Sequence, residues 1–133
     1  MTYTTGFSLE FAENFARFPK ADQLKIAVFQ TQFESYGFSN FSNYPGKISM
    51  SWGGLSPSNP LYQFAKGNDL WHYHIGIPTF TPSISGKYST SDWLLHFQWP
   101  NWMKNGAHIH IVDLLPHNAS NRSFNLPSPK ALP

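Results

Sequence analysis

The feature that most constrains this chain is a hydrophobic pattern of period two that begins at Leu70. The segment LWHYHIGI (70–77) alternates large apolar residues with histidine or glycine. Because side chains at i and i+2 of a strand lie on the same face, this segment predicts a strand with two different faces. The inner face would carry Trp71, Tyr73, Ile75 and Ile77, and the outer face would carry His72, His74 and Gly76.

Later segments continue this pattern. DWLLHFQW (92–99) places His96 on the outer face, and AHIHIVDLL (107–115) is apolar on both faces near its end, as in a central strand. Asn105-Gly106 between them is a strong turn signal, so the two segments should form a hairpin. KISMSW (47–52) predicts a short edge strand. Together these segments indicate a small, mainly antiparallel sheet.

The first third of the chain has helical spacing instead. Phenylalanines recur at positions 7, 11, 15 and 18, which forms one stripe on a short helix with Ser8 as its N-cap. A second stripe runs from Leu24 to Tyr36, and Gly37 is placed to end that helix. We therefore expect two N-terminal helices packed on one face of the sheet.

These elements predict a single domain of α+β class spanning residues 1–133. A helical turn is expected from Leu61 to Lys66. The parts of the domain would be a helical pair (1–37), a loop-rich segment (38–69), a sheet (70–117) and an extended or loosely attached tail (118–133).

Composition excludes several kinds of site. The chain contains no cysteine, which rules out disulfides, thiolate nucleophiles and cysteine-bound metal clusters. A net charge of +2 from scattered Lys and Arg leaves a nucleic-acid ligand undecided. The N-terminus lacks a signal-peptide pattern, and no apolar run approaches the roughly 20 residues of a membrane helix. We expect a cytoplasmic protein with no membrane partner.

The histidines allow a metal site as one interpretation. Two H-x-H pairs on adjacent strands, 72/74 and 108/110, could together give three or four imidazoles to zinc. The run His108, His110, Asp113 also resembles metallohydrolase ligands, although Asp113 would point away from both histidines in a regular strand. A small metal-dependent hydrolase therefore remains an alternative.

Metal-free acid–base catalysis is a second interpretation. RNA cleavage by attack of the adjacent 2′-hydroxyl needs a base, an acid and a cation near the phosphate, and histidine suits proton transfer near neutral pH. Asp92 could hold a histidine in one tautomer. We expect substrate contacts from the outer face and from cations near it, namely His72, His96, Lys87 and Arg122.

A structural role for the histidines, in a non-catalytic binding module, is the third interpretation. His108 and His110 lie in the most apolar segment, so we expect them to be core residues with satisfied hydrogen bonds.

The ordered segments LWHYHIGIP, YSTSDWLLHF and IHIVDLLPH resemble the YafO family of bacterial type II toxins, over about residues 33–117. The resemblance implies a RelE-like microbial ribonuclease fold, with two helices packed on a small antiparallel sheet. It also implies a ribosome-dependent mRNA endonuclease that needs no metal or other cofactor and is neutralised by a cognate antitoxin protein. Carried over by position, the catalytic residues would be His74 on the H-x-H strand, Asp92 in the S-D pair and His117 at the end of the last strand.

Overall fold

The computed structural model describes residues 2–82, 88–118 and 124–132. Two of its helix ends lie at predicted signals, whereas the first helix is shorter than predicted because Phe7 and Phe18 lie outside it. The Ser8 hydroxyl accepts a hydrogen bond from the Phe11 N–H, and Gly37, with a φ of 60°, ends the second helix. Both predicted caps are therefore confirmed. The α-helices are α1 (Leu9–Phe15), α2 (Lys20–Tyr36) and α3 (Pro60–Gly67).

The described strands form two sheets. They are β1 (Thr4–Phe7), β2 (Ile48–Met50), β3 (Leu70–Ile77), β4 (Thr81–Pro82), β5 (Ser89–Thr90), β6 (Trp93–Gln98) and β7 (His108–Pro116). The main sheet has the order β1-β7-β6-β3-β2, with β1 parallel to β7 and the other neighbours antiparallel. β4 and β5 pair separately. The predicted α+β class, the mainly antiparallel sheet and the β6–β7 hairpin are confirmed.

Two expectations about the ends of the chain are wrong. Residues 1–37 are not helical throughout, because Thr4–Phe7 forms β1 along the edge of β7. The tail is not loosely attached where it is described, since Ala131 is 1% exposed and Leu126 and Leu132 pack against the core. Both segments owe their positions to contacts with distant parts of the chain.

Helix α2 covers the inner face of the sheet. The Phe29 ring stacks on Tyr73 of β3 with the ring centres 4.7 Å apart, and Ile26 and Phe33 are fully buried beside it. The predicted inner face of β3 is confirmed, but every residue of β3 is buried, so its other face is covered too. Among the described residues no helix is long and apolar enough to cross a membrane.

Gly46 fixes how closely the chain before β2 approaches β3. A Cβ at this position would lie 1.8 Å from the His74 carbonyl oxygen. We expect Gly46→Ala to lower the free energy of unfolding by more than about 2 kcal/mol, because backbone must shift to admit the methyl group. The matched control is Gly54→Ala, whose Cβ would meet nothing within 4 Å. Urea denaturation compares the two, and equal stabilities would contradict the close approach.

Candidate active site at the histidine face

Four histidines gather on the side of the main sheet opposite α2. His72 and His96 are register partners on β3 and β6, and their ring centres lie 6.0 Å apart. His74 is 6.0 Å from His72, and His117, just after β7, is 5.8 Å from His74. We call this group (His72, His74, His96 and His117) the histidine face. The prediction that His72, His74 and His96 share one face is confirmed.

Most of the histidine face is covered, although the sequence predicted that this face would be available for substrate contacts. The Phe124 ring lies over it, 5.2 Å from His72, 5.4 Å from His117 and 6.1 Å from His96, measured between ring centres. The Asn125 N–H donates to the His117 carbonyl oxygen at 3.1 Å and holds this part of the tail in place. As a result His72 is 8% exposed and His96 is 0% exposed, whereas His117 remains exposed.

The backbone of Ser91 contacts the His74 ring. The Ser91 N–H donates to His74 Nδ1 at 2.9 Å, and the Ser91 carbonyl oxygen lies 3.2 Å from the same nitrogen. Because the first contact is the shorter one, it favours the neutral ring with its proton on Nε2. The Ser91 hydroxyl in turn donates to the Trp93 carbonyl oxygen and accepts from the Gly76 N–H. Burial lowers the pKa of His74 to about 4; a hydrogen bond with the Ser91 backbone partly offsets this effect, and the charges of His117 and Lys47 add smaller decreases. His74 is therefore a neutral N–H donor near neutral pH.

The two deeper histidines are also neutral. His72 Nδ1 lies 2.9 Å from the Ser51 hydroxyl, and burial, followed by the charge of His96, holds its pKa well below the usual range. Burial, followed by the charge of His117, lowers the pKa of His96 to about 3. Within the described part of the chain neither ring nitrogen of His96 has a hydrogen-bond partner. With no exposed surface, His96 is out of reach of a ligand in this structure, so its substrate contact stays a prediction.

His117 and Asp92 meet at an open cavity of about 550 Å³ that His74 also lines. The His117 N–H donates to the Asp92 carbonyl oxygen at 2.7 Å, which places the two exposed side chains on neighbouring backbone. The His117 ring hydrogen-bonds through Nδ1 to the Asn118 side-chain oxygen, which leaves Nε2 as the nitrogen available to a ligand. The structure thus brings His74, Asp92 and His117 together. The hydrogen bond that favours this His74 tautomer comes from Ser91, not from Asp92.

Lys47 is a cation at this site that sequence reasoning missed. Its carbonyl oxygen accepts from the His74 N–H at 2.9 Å, and its ammonium lies 5.0 Å above the Tyr88 ring. Its charge lowers the pKa of both His72 and His74, after the larger effect of burial. The segment KISMSW predicted a strand but did not indicate which strand it would pair with. The sequence therefore did not connect Lys47 to His74.

The two predicted phosphate ligands, Lys87 and Arg122, lie outside the described residues. Their roles therefore stay predictions.

The second histidine pair is placed differently from the expectation. β7 is not adjacent to β3, because β6 lies between them, so the two H-x-H pairs do not face each other on neighbouring strands. His108 is exposed and bonds to the Thr4 hydroxyl at 2.8 Å, and His110 is half-buried, so the expectation that they are core histidines is wrong. Within the described ranges no group of three or more His, Asp or Glu is arranged to hold a metal ion.

The chain is weakly similar to a known structure. The sequence matches no protein-family model and no curated protein sequence. A solved structure described as an archaeal RelE–RelB complex from Pyrococcus horikoshii OT3 is similar at 18% identity with a TM-score of 0.45. The match covers 87% of this chain and 96% of that chain. A likeness of this size is too weak to assign a fold family or a function.

Proposed function

We propose that this chain is the toxin of a type II toxin–antitoxin system, with a RelE-like fold. Its activity would be that of a cytoplasmic, ribosome-dependent endoribonuclease that cleaves mRNA by metal-independent acid–base chemistry. The observation that carries the proposal is the cavity where exposed His117 and Asp92 meet His74, whose Nε2-protonated tautomer is favoured by Ser91. A base, an acid and a fixed donor around one open cavity are what cleavage by an internal 2′-hydroxyl requires.

The proton transfers can be assigned to two groups. The Asp92 carboxylate removes the proton of the 2′-hydroxyl, and the 2′-oxygen attacks the adjacent phosphorus. The bond from phosphorus to the 5′-oxygen breaks, and protonated His117 donates from Nε2 to that leaving oxygen. The products are a 2′,3′-cyclic phosphate and a 5′-hydroxyl end, so no water or metal ion is consumed. Asp92 and His117 both line the cavity, which supports this division of roles.

The remaining groups would stabilise negative charge on the phosphate. The neutral His74 ring offers its Nε2–H as a hydrogen-bond donor to a non-bridging oxygen, and its low pKa keeps it in that form. Lys47 supplies a positive charge close enough to affect both His72 and His74. The His74 ring is held by the Ser91 backbone before substrate arrives, so little reorganisation of this donor is needed.

Two partners belong to the proposal. A net charge of +2 gives the chain little general affinity for RNA, and a ribosome would supply the positioning of mRNA that this charge does not. A cognate antitoxin protein would neutralise the toxin by covering the cavity.

Expression in a bacterial host tests the proposed function. We expect growth arrest within one or two generations, and primer extension on a translated mRNA should show new 5′ ends that are absent from the same mRNA lacking a start codon. Cleavage that persists in a ribosome-programmed assay with a chelator selective for transition metals, which leaves the Mg²⁺ of the ribosome in place, supports the metal-free mechanism. Cleavage that stops and returns with added zinc or manganese would instead support the metal-dependent hydrolase.

The cover over the histidine face favours a second candidate, a non-catalytic binding module. Phe124 contacts three of the four histidines, and in such a module these contacts would serve packing alone. Normal growth on expression, together with intact mRNA in the ribosome-programmed assay, would select this candidate over the endoribonuclease.

A further inference from the structure

A second cavity, of about 590 Å³, lies beside the histidine face along β2, the last strand in the order of the main sheet. Its volume falls within the range of sites for small organic ligands. We call this cavity the edge groove. Its apolar walls are formed by Phe41, Met50, Leu55, Trp71 and Phe124.

The walls of the edge groove are suited to a flat ring. Phe41 is 39% exposed, Met50 and Leu55 are half-buried, and the buried Trp71 closes the inner side. Aromatic and thioether side chains contact planar heterocycles through their faces and edges. The groove therefore favours a planar aromatic ligand over a flexible aliphatic chain.

The edge groove also carries groups for the polar edge of such a ring. Ser49 is the register partner of His72, so its side chain points to the histidine-face side of the sheet. Among the described residues the Ser49 hydroxyl has no hydrogen bond, in contrast to the Ser51 hydroxyl, which bonds to His72. Lys47 lines the same groove and provides a positive charge for an attached phosphate.

The groove adjoins the proposed active site at His117, which lines both cavities. A ring in the edge groove would thus lie next to a phosphate held between His117 and Asp92. We propose that the edge groove binds one nucleobase of the RNA substrate, next to the phosphate that is cleaved. This inference rests on the proposed endoribonuclease function and names the part of the substrate that gives it selectivity.

Binding of adenosine 3′-monophosphate, compared with ribose 5-phosphate, tests the inference without cleavage. The five tryptophan indole N–H signals in a ¹H–¹⁵N NMR spectrum provide the readout. We expect the nucleotide to bind about tenfold more tightly than the sugar phosphate, because stacking of a base on aromatic side chains contributes about 5- to 150-fold in affinity. Equal affinities would overturn the inference.

A variant that fills the edge groove provides a second test of the inference. Gly54 lines the groove and a Cβ there meets nothing within 4 Å, so Gly54→Leu should fill the groove without disturbing the fold. Gly67→Leu is the matched control, since its Cβ also meets nothing and it lies outside the groove at the end of α3. We expect Gly54→Leu to weaken nucleotide binding at least tenfold and Gly67→Leu to change it less than twofold. No loss in Gly54→Leu would overturn the inference.

The two proposals fail in different ways. If the nucleotide binds as expected but translated mRNA is not cut, the endoribonuclease is wrong and the base-binding groove stands. If mRNA is cut, but Gly54→Leu cuts at the same positions and rate as the unaltered chain, the groove is wrong and the endoribonuclease stands. A change in the preferred cleavage positions in Gly54→Leu alone would support both.

Discussion

His117→Ala is expected to slow cleavage of a ribosome-bound mRNA by about 10²–10⁴-fold, the usual contribution of a general acid. The ring is exposed, and its Nδ1 bond to Asn118 leaves Nε2 toward the cavity, so its removal should not unfold the chain. A single-turnover assay with programmed ribosomes measures the rate. His108→Ala is the matched control, because His108 is also exposed but lies on β7 beyond β6 from His74.

A modified substrate tests whether His117 acts as the acid. In an RNA with sulfur in place of the 5′-oxygen at the scissile bond, the thiolate can leave without a proton. The rate of His117→Ala on this substrate should approach that of the unaltered chain, whereas Asp92→Asn should stay slow because the 2′-hydroxyl still needs a base. Equal rescue of both variants, or of neither, would contradict the division of roles between Asp92 and His117.

The parts of the fold that sequence predicted well are those set by local patterns. The period of two in LWHYHIGI predicts a strand over residues 70–77, which are the bounds of β3. Ser8 and Gly37 mark helix ends through short-range hydrogen bonds, and both act as predicted. Such features depend on a few residues that are neighbours in the chain, so the sequence alone is enough to predict them.

The features that the sequence did not reveal depend on distant partners. The segment TTGF has no strand pattern of its own and becomes β1 because it pairs with β7, about a hundred residues later. The order of strands places β6 between β3 and β7, so the two H-x-H pairs do not lie on adjacent strands as expected. The burial of His72 and His96 depends on Phe124 in the tail, and no local periodicity links residues so far apart. Alternation showed which histidines share a face, but not what covers that face.

Acid is expected to destabilise this chain steeply, because its buried histidines are neutral. The folded pKa values of His72, His74 and His96 all lie below the ordinary 6.5, since burial disfavours the charged ring. The unfolded chain therefore binds these protons first, so the stability they contribute is complete above pH 6.5 and falls as the pH drops toward 4. Burial raises the pKa of Asp113 to about 6, so this carboxyl binds its proton first in the folded chain. This uptake offsets one of the three protons that the histidines bind first in the unfolded chain. These four groups give a net difference of two protons, or about 2.7 kcal/mol per pH unit below pH 6, and His110, whose pKa burial also lowers, adds to the slope in the same direction.

His96 provides the sharpest test of this expectation. Its two ring nitrogens have no partners among the described residues, so His96→Leu should raise the free energy of unfolding at pH 8 by about 1–3 kcal/mol. It should also reduce the slope below pH 6 by about 1.4 kcal/mol per pH unit, because one titrating group is gone. His96→Gln is the matched control, because it removes the titrating ring but buries an amide. The slope of its unfolding free energy with pH should fall, while its free energy of unfolding at pH 8 should not rise. Urea denaturation at several pH values measures both quantities.

A steep slope that survives in both variants would mean that His96 does not titrate as a buried neutral ring. A loss of stability in His96→Leu at pH 8 would mean that its nitrogens have hydrogen-bond partners after all.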